Sequence, residues 1–159
     1  MHCINYKPMR QQTKIFLMLS LFALTIFSCE KEPSGDVQLA DYIKLSTDKS
    51  TYQKTDTIFL SLENNSGFEI NIGMRCNSWL EMSYQEIIDG KWSKDKYFQY
   101  MYLRCPTFID TIKTDRTVSF KLPCDFFESE NTFQLLVPCH VLGEDKNISA
   151  ISNRFKIEK

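Results

Sequence analysis

His140 directly follows Cys139. In a strand such neighbours point to opposite faces, so adjacency alone does not make them a catalytic dyad. A working triad would require His140 to meet an exposed Ser or a reduced Cys, with an acid orienting the imidazole. No Gly-x-Ser-x-Gly elbow and no Gly-rich phosphate loop accompanies it. His140 is therefore expected at a loop or strand edge. Asp89, Asp95, Asp110, Asp115 and Asp125 fall near expected strand ends, where the acids of a small hydrolase can sit. Retaining glycoside hydrolysis holds two carboxyls about 5–5.5 Å apart, and no pair here is marked by its spacing. A solvated rim accounts for them more simply. Glu144, Asp145 and Asn147 lack the ligand spacing of a calcium loop, and no motif calls for a cofactor or metal.

The placement of this chemistry depends on the first 29 residues. Lys7, Arg10 and Lys14 precede the uncharged run Ile15–Phe27, and Ser28 and Cys29 follow it. Thirteen uncharged residues are too few for a comfortable spanning helix, which needs about 20. A basic start, a short apolar core and a small residue are the parts of a secretory signal. Met9 begins a second, self-sufficient leader, so nothing is built on His2 or Cys3. Removing the three leader cations leaves 16 Lys and Arg against 20 Asp and Glu, a net charge of about −4. That balance argues against nucleic acid, which requires a basic face.

Ile26-Phe27-Ser28-Cys29 resembles the lipobox of bacterial lipoproteins, with an aliphatic residue three before the Cys and a small one directly before it. The resemblance implies a signal peptide at 1–28, a Cys29 thiol joined to diacylglycerol and a membrane partner reached through that lipid. Each buried methylene adds roughly 0.8 kcal/mol, so two or more chains anchor durably. Residues 29–38, with the polar stretch EKEPSGD, read as a tether carrying Pro33 and Gly35. Glu30 stands where Asp marks inner-membrane retention, and the acidic tether resembles export tags of Bacteroidetes surface lipoproteins. The expected location is the cell envelope, at the outer membrane.

Once Cys29 is committed to lipid, Cys76, Cys105, Cys124 and Cys139 form an even set in an exported chain, which favours disulfides. Cys76–Cys105 with Cys124–Cys139 is the expected pairing, and strand order is also compatible with Cys76–Cys124. A zinc site and free thiols are the alternatives, although no Cys-x-x-Cys spacing supports the zinc.

Residues 39–159 read as one all-β domain. Short β-branched and aromatic runs are separated by turn signals, and no helical period exceeds two turns. Strands are predicted at 42–46, 57–63, 68–74, 78–88, 97–103, 108–112, 117–122, 132–138 and 151–157. Residues 48–56 read as a polar connection, 64–67 as a turn through Gly67, and 89–92 (DGKW) as a hairpin closure. DFFESEN (125–131) reads as a short helical loop. About 7–9 antiparallel strands with turns every 8–12 residues fit an immunoglobulin-like β-sandwich. STYQKTDTIFLSLENNSGFEI, GKW and SNRF resemble, across residues 42–157, immunoglobulin-like domains of bacterial lipoproteins. They are similar, more distantly, to proteinase-inhibitor-type sandwiches. Thr55-Asp56 and Thr132-Phe133 depart from the usual Gly-Asp and Gly-Tyr of such domains.

KYFQYMYL carries large side chains on both faces of its predicted strand. Phe98, Tyr100 and Tyr102 share one face, and with Trp92 they form the candidate binding surface for an envelope protein, a peptide or a glycan. The expected role is binding or structural support by a lipid-anchored envelope protein. A small hydrolase using strand-end carboxylates and a protease inhibitor with a protruding rigid loop are the alternatives. A binder should expose an apolar patch around Trp92 and Tyr100.

Overall fold

The computed structural model describes residues 39–76 and 78–159. The expected signal peptide 1–28, Cys29 and the tether 29–38 lie outside the described residues. The described part is all-β, with a three-stranded antiparallel sheet and a ten-stranded mixed sheet whose buried side chains form one core cluster.

The small sheet has the order β1 (Ile43–Thr47), β3 (Thr57–Asn64), β10 (Arg116–Pro123). Its centre follows the expected alternation, with Ile58, Leu60 and Leu62 buried and Phe59 exposed. Leu62 pairs with Leu45 on one side and Val118 on the other, so the inward face of β3 is continued by both neighbours. β3 ends at Asn64, a fully buried side chain. Its Nδ2 donates to the Phe68 and Ile112 carbonyls, and its Oδ1 accepts from the Ser66 hydroxyl at 2.7 Å. Gly67, at φ +77°, then turns the chain, as the NNSG stretch requires.

The large sheet is organised around β11 (Thr132–Val141). Along one edge lie β12 (Lys146–Ile151) and β13 (Phe155–Glu158), and along the other β6 (Ser83–Ile88) and β4 (Ile70–Arg75). The remaining strands are β2 (Thr51–Gln53), β5 (Trp79–Leu80), β7 (Lys91–Trp92), β8 (Lys96–Tyr97) and β9 (Thr107–Ile112). Asp89 at φ +51° and Gly90 at φ +75° join Ile88 to its partner Lys91, the two-residue hairpin expected from DGKW.

Three departures from the sequence reading have local causes. The connection 48–56 contains β2, which pairs in parallel with β13. Tyr52 enters the core, and its hydroxyl donates to Asp48 Oδ1 at 2.6 Å and accepts the Lys49 N–H at 2.8 Å. Asp48 Oδ1 also takes the Phe59 N–H, so a polar-looking segment is tied to both sheets. The expected strand 151–157 is instead split. Ser152 stands in for the ladder there, its hydroxyl accepting the Leu135 N–H at 2.9 Å. Asn153 then bridges sheets, exchanging hydrogen bonds of 2.8 Å with the Thr47 N–H and hydroxyl. This break leaves Ile151 exposed while Phe155 and Ile157 are buried.

The third departure is in the aromatic run. Residues 97–103 do not form a strand: β8 stops at Tyr97, and a 3-10 turn occupies Gln99–Tyr102. Met101 N–H bonds the Phe98 carbonyl and Leu103 N–H the Tyr100 carbonyl, replacing the period of two with a period near three.

Candidate binding surface

That change of period decides the fate of the candidate surface. Phe98 is 1 % and Tyr100 5 % exposed, so the expected patch around them is core. They stack at 5.5 Å, and Trp79, Phe126 and Phe127 pack around them. Tyr100 donates to the Leu80 carbonyl at 2.8 Å, and burial raises its phenol pKa. Trp92 is half-buried with the Arg154 guanidinium 5.3 Å above its ring. Of the four residues only Tyr102, at 74 % exposure, faces solvent fully.

An exposed strip begins at Tyr102, where the 3-10 turn ends. Tyr102, Leu103 and Arg104 are exposed, Cys105 is half-buried, and every residue from Pro106 to Thr111 is exposed. Cys105 is joined to Cys76 as expected. Cys76 sits at φ +52° directly after β4, and its N–H bonds the Pro106 carbonyl. Next to it, Arg75 spends its guanidinium on the loop: Nη2 donates to the Met101 and Leu103 carbonyls at 3.0 and 2.7 Å, and Nη1 to the Thr107 hydroxyl at 2.8 Å. Five donors in a rigid fork suit such main-chain clamping, which a lysine would not reproduce. The strip continues as β9, which pairs with β4 over Ile70↔Ile112 to Arg75↔Thr107 and, among the described residues, with no other strand.

Cys124 and Cys139 are buried free thiols, which corrects the second expected disulfide. Cys124 accompanies Phe127, whose ring lies 4.6 Å from that of Phe133. Cys139 is six residues further along the extended β11, about 20 Å at the rise of a strand. A disulfide requires Cα atoms within about 7 Å. Burial pushes the Cys124 thiol up to about 11 and the Cys139 thiol up to about 12. The Cys76–Cys105 bond removes two of the four thiols that a zinc site would use.

His140 lies on the face of β11 opposite Cys139, as the adjacency required. Its Nδ1 is 3.1 Å from Asn147 Oδ1 and its Nε2 3.9 Å from Asp145 Oδ1, and among the described residues no serine or thiol is bonded to it. Asp89 and Asp115 occupy turns at positive φ, and the Asp110 carboxylate accepts the N–H of its own neighbour Thr111 at 2.9 Å. Asp125 joins Glu128 beside a small hollow near Tyr100. Asp95 and Glu81 line a cleft of about 230 Å³ with Tyr97, Met101, Leu136 and Pro138. In that cleft Asp95 already accepts from Gln85 Nε2 at 2.7 Å.

No protein-family model and no curated protein sequence matches the chain. Among solved structures it is similar to the sporulation control protein Spo0M from Bacillus subtilis, at 14 % identity and a TM-score of 0.38. That likeness covers 74 % of this chain and 49 % of Spo0M, so the chain spans about half the length of that protein.

Proposed function

We propose that this chain is a lipid-anchored cell-envelope protein, acylated at Cys29, whose immunoglobulin-like β-sandwich acts by binding another polypeptide. The lipobox-like Ile26–Cys29 and the polar tether support the anchor. The observation that carries the binding role is the strip Tyr102–Thr111, exposed almost throughout and held by the Cys76–Cys105 bond and the Arg75 clamp. Exposed Tyr102, Leu103, Phe108 and Ile109 supply apolar area, and the open edge of β9 supplies main-chain donors and acceptors. Pre-tying the loop lowers the ordering cost of binding.

Two experiments test this reading. Cells fed an alkyne fatty acid should label the wild-type protein and not Cys29→Ala, which should leave the membrane fraction. Wild-type protein without label would sink the anchor. A photo-cross-linker placed at Tyr102 or Ile109 in intact cells should capture protein more strongly than one at Phe59, which is also exposed but lies on the small sheet. Equal capture at all three would sink the binding surface.

The stapled, exposed loop around Arg104 also favours a protease inhibitor as a second reading. Titration of a trypsin-like protease with wild-type protein and Arg104→Ala tests it; unchanged activity with both rejects it. A hydrolase reading rests on Glu81 and Asp95 sharing one cleft. Glu81→Gln and Asp95→Asn would then each abolish any turnover found in the wild type.

A further inference from the structure

The geometry points to a second copy of this chain as an occupant of the β9 edge, paired antiparallel about a two-fold axis through Phe108. This deepens the reading of the strip as a protein-binding surface and rests on it.

β9 is unguarded in its first half. Thr107, Phe108 and Ile109 contain no proline or lysine, and the pairing with β4 runs through all six residues without a bulge. Proteins normally blunt such an edge with one of those devices or with a charge, and the one charge of β9, Asp110, lies in its second half. Phe108 is 46 % and Ile109 65 % exposed, large apolar side chains for an edge that meets only water.

The register follows from four constraints. The Cys76 N–H bonds the Pro106 carbonyl, which aims the even-numbered residues at β4, and the Thr111 N–H is taken by the Asp110 carboxylate, so the odd-numbered residues aim their main-chain groups outward. An added strand must therefore pair odd residues with odd residues. Placing the axis at Asp110 would set two carboxylates directly opposite, which is destabilising. Placing it at Ile109 would set Phe108 against the partner's Asp110 and would require Thr111 to give up its carboxylate bond. An axis at Thr107 would set Ile109 against Cys105 of the second copy, whose N–H is already bonded to the Leu103 carbonyl. An axis at Phe108 avoids all of these. Phe108 then faces Phe108 of the second copy in the closely spaced type of pair, and Thr107 faces Ile109 of the second copy. Thr107 and Ile109 exchange four main-chain hydrogen bonds across the axis. Thr111 falls beyond the paired residues and keeps its Asp110 bond. Asp110 also comes diagonally toward Arg104 of the second copy, an exposed cation in the stapled loop. A short interface of this kind gains from lipid anchoring, because confinement to one membrane raises the effective concentration.

Disulfide trapping in membranes from cells making the full-length protein tests the register. Phe108→Cys should oxidise to a band at twice the monomer mass that a reductant removes. Ile109→Cys alone should give no such band, whereas co-expressed Thr107→Cys and Ile109→Cys chains should cross-link to one another. The last two positions are exposed, so they report even if loss of Phe108 perturbs the strand. A second variant, Ile109→Pro, removes an outward N–H that β4 does not use. It should convert a dimer to a monomer in detergent sedimentation while leaving the melting temperature of the domain nearly unchanged.

Cross-linking of Ile109→Cys to itself, with Phe108→Cys silent, overturns the register. Silence at every position together with a monomeric wild type overturns the dimer. In the latter case continued photo-capture of other proteins at Tyr102 and Ile109 would leave the binding surface standing, whereas loss of both would remove the two readings together.

Discussion

Within a dozen residues the chain passes from an enclosed aromatic cluster to an exposed strip. Phe98 and Tyr100 are sealed among Trp79, Phe126 and Phe127, whereas Tyr102, Leu103, Phe108 and Ile109 face water. The residue types hardly differ between the two regions. Their supports do. The cluster is held by ring packing and by the loop 124–131, which Ser129 and Asn131 tie back to Glu86 and Ile87 of β6. The strip has no such cover among the described residues and is held from behind, by the β4 ladder, one disulfide and one guanidinium. Apolar side chains thus stabilise the fold in the first region and remain available to a partner in the second.

Removing packing from the enclosed region should produce the largest effect. Phe127→Ala deletes a fully buried ring that contacts Tyr84, Phe98, Phe133 and Phe155. It should cost about 3–5 kcal/mol in a denaturant titration; a loss below 1 kcal/mol would show that the cluster is loosely packed. Removing the staple by Cys76→Ala with Cys105→Ala should cost roughly 3–4 kcal/mol, the loop entropy of a 29-residue separation. Its distinguishing signature is local, with amide exchange accelerating over residues 101–107 before the rest of the domain. Uniform acceleration would mean that the bond stabilises the whole fold and does not specifically hold the strip.

An acid titration separates the regions in a third way. Burial pushes the Glu86 carboxyl up, but hydrogen bonds from Lys96 and Ser129 and the charge of Lys96 outweigh it and hold the group below its ordinary 4.5. A carboxyl depressed in the folded chain contributes stability that is complete above its unfolded pKa and is lost as pH falls through the folded value. Glu86→Gln should therefore flatten the fall of melting temperature below about pH 4.5, and an unchanged acid limb would assign that fall to other groups. Cys139 should resist alkylation in the folded protein at pH 8, since burial lifts its thiol to about 12, and react only on unfolding. Tyr102→Ala and Leu103→Ser should move stability by no more than about 0.5 kcal/mol. A larger loss would show that the strip belongs to the core after all.

Much of the β-architecture was legible in local pattern. The alternation of Ile58, Leu60 and Leu62 depends only on side chains pointing to opposite faces of a strand. The turns at Gly67 and Asp89-Gly90 depend only on which residues accept positive φ. The candidate site was less legible. KYFQYMYL has bulky groups at nearly every position, so a period of two could not be told from a period of three. Long-range partners were illegible as well. Tyr52 revealed nothing of its neighbour strand β13, and Arg75 carried no mark of the carbonyls it clamps 26 and 28 residues away.

The sequence by itself determined that the chain makes short alternating strands joined by glycine and asparagine turns, and that Cys139 and His140 face opposite ways. These properties depend on the steric range of single residues and on nearest neighbours. Tertiary structure alone decided that Cys76 meets Cys105 while Cys124 and Cys139 stay apart, that Phe98 and Tyr100 turn inward, and that β9 is left as an open edge. Each of these depends on which distant segments come within a few ångströms of one another, a condition set by sheet order that no local spacing encodes.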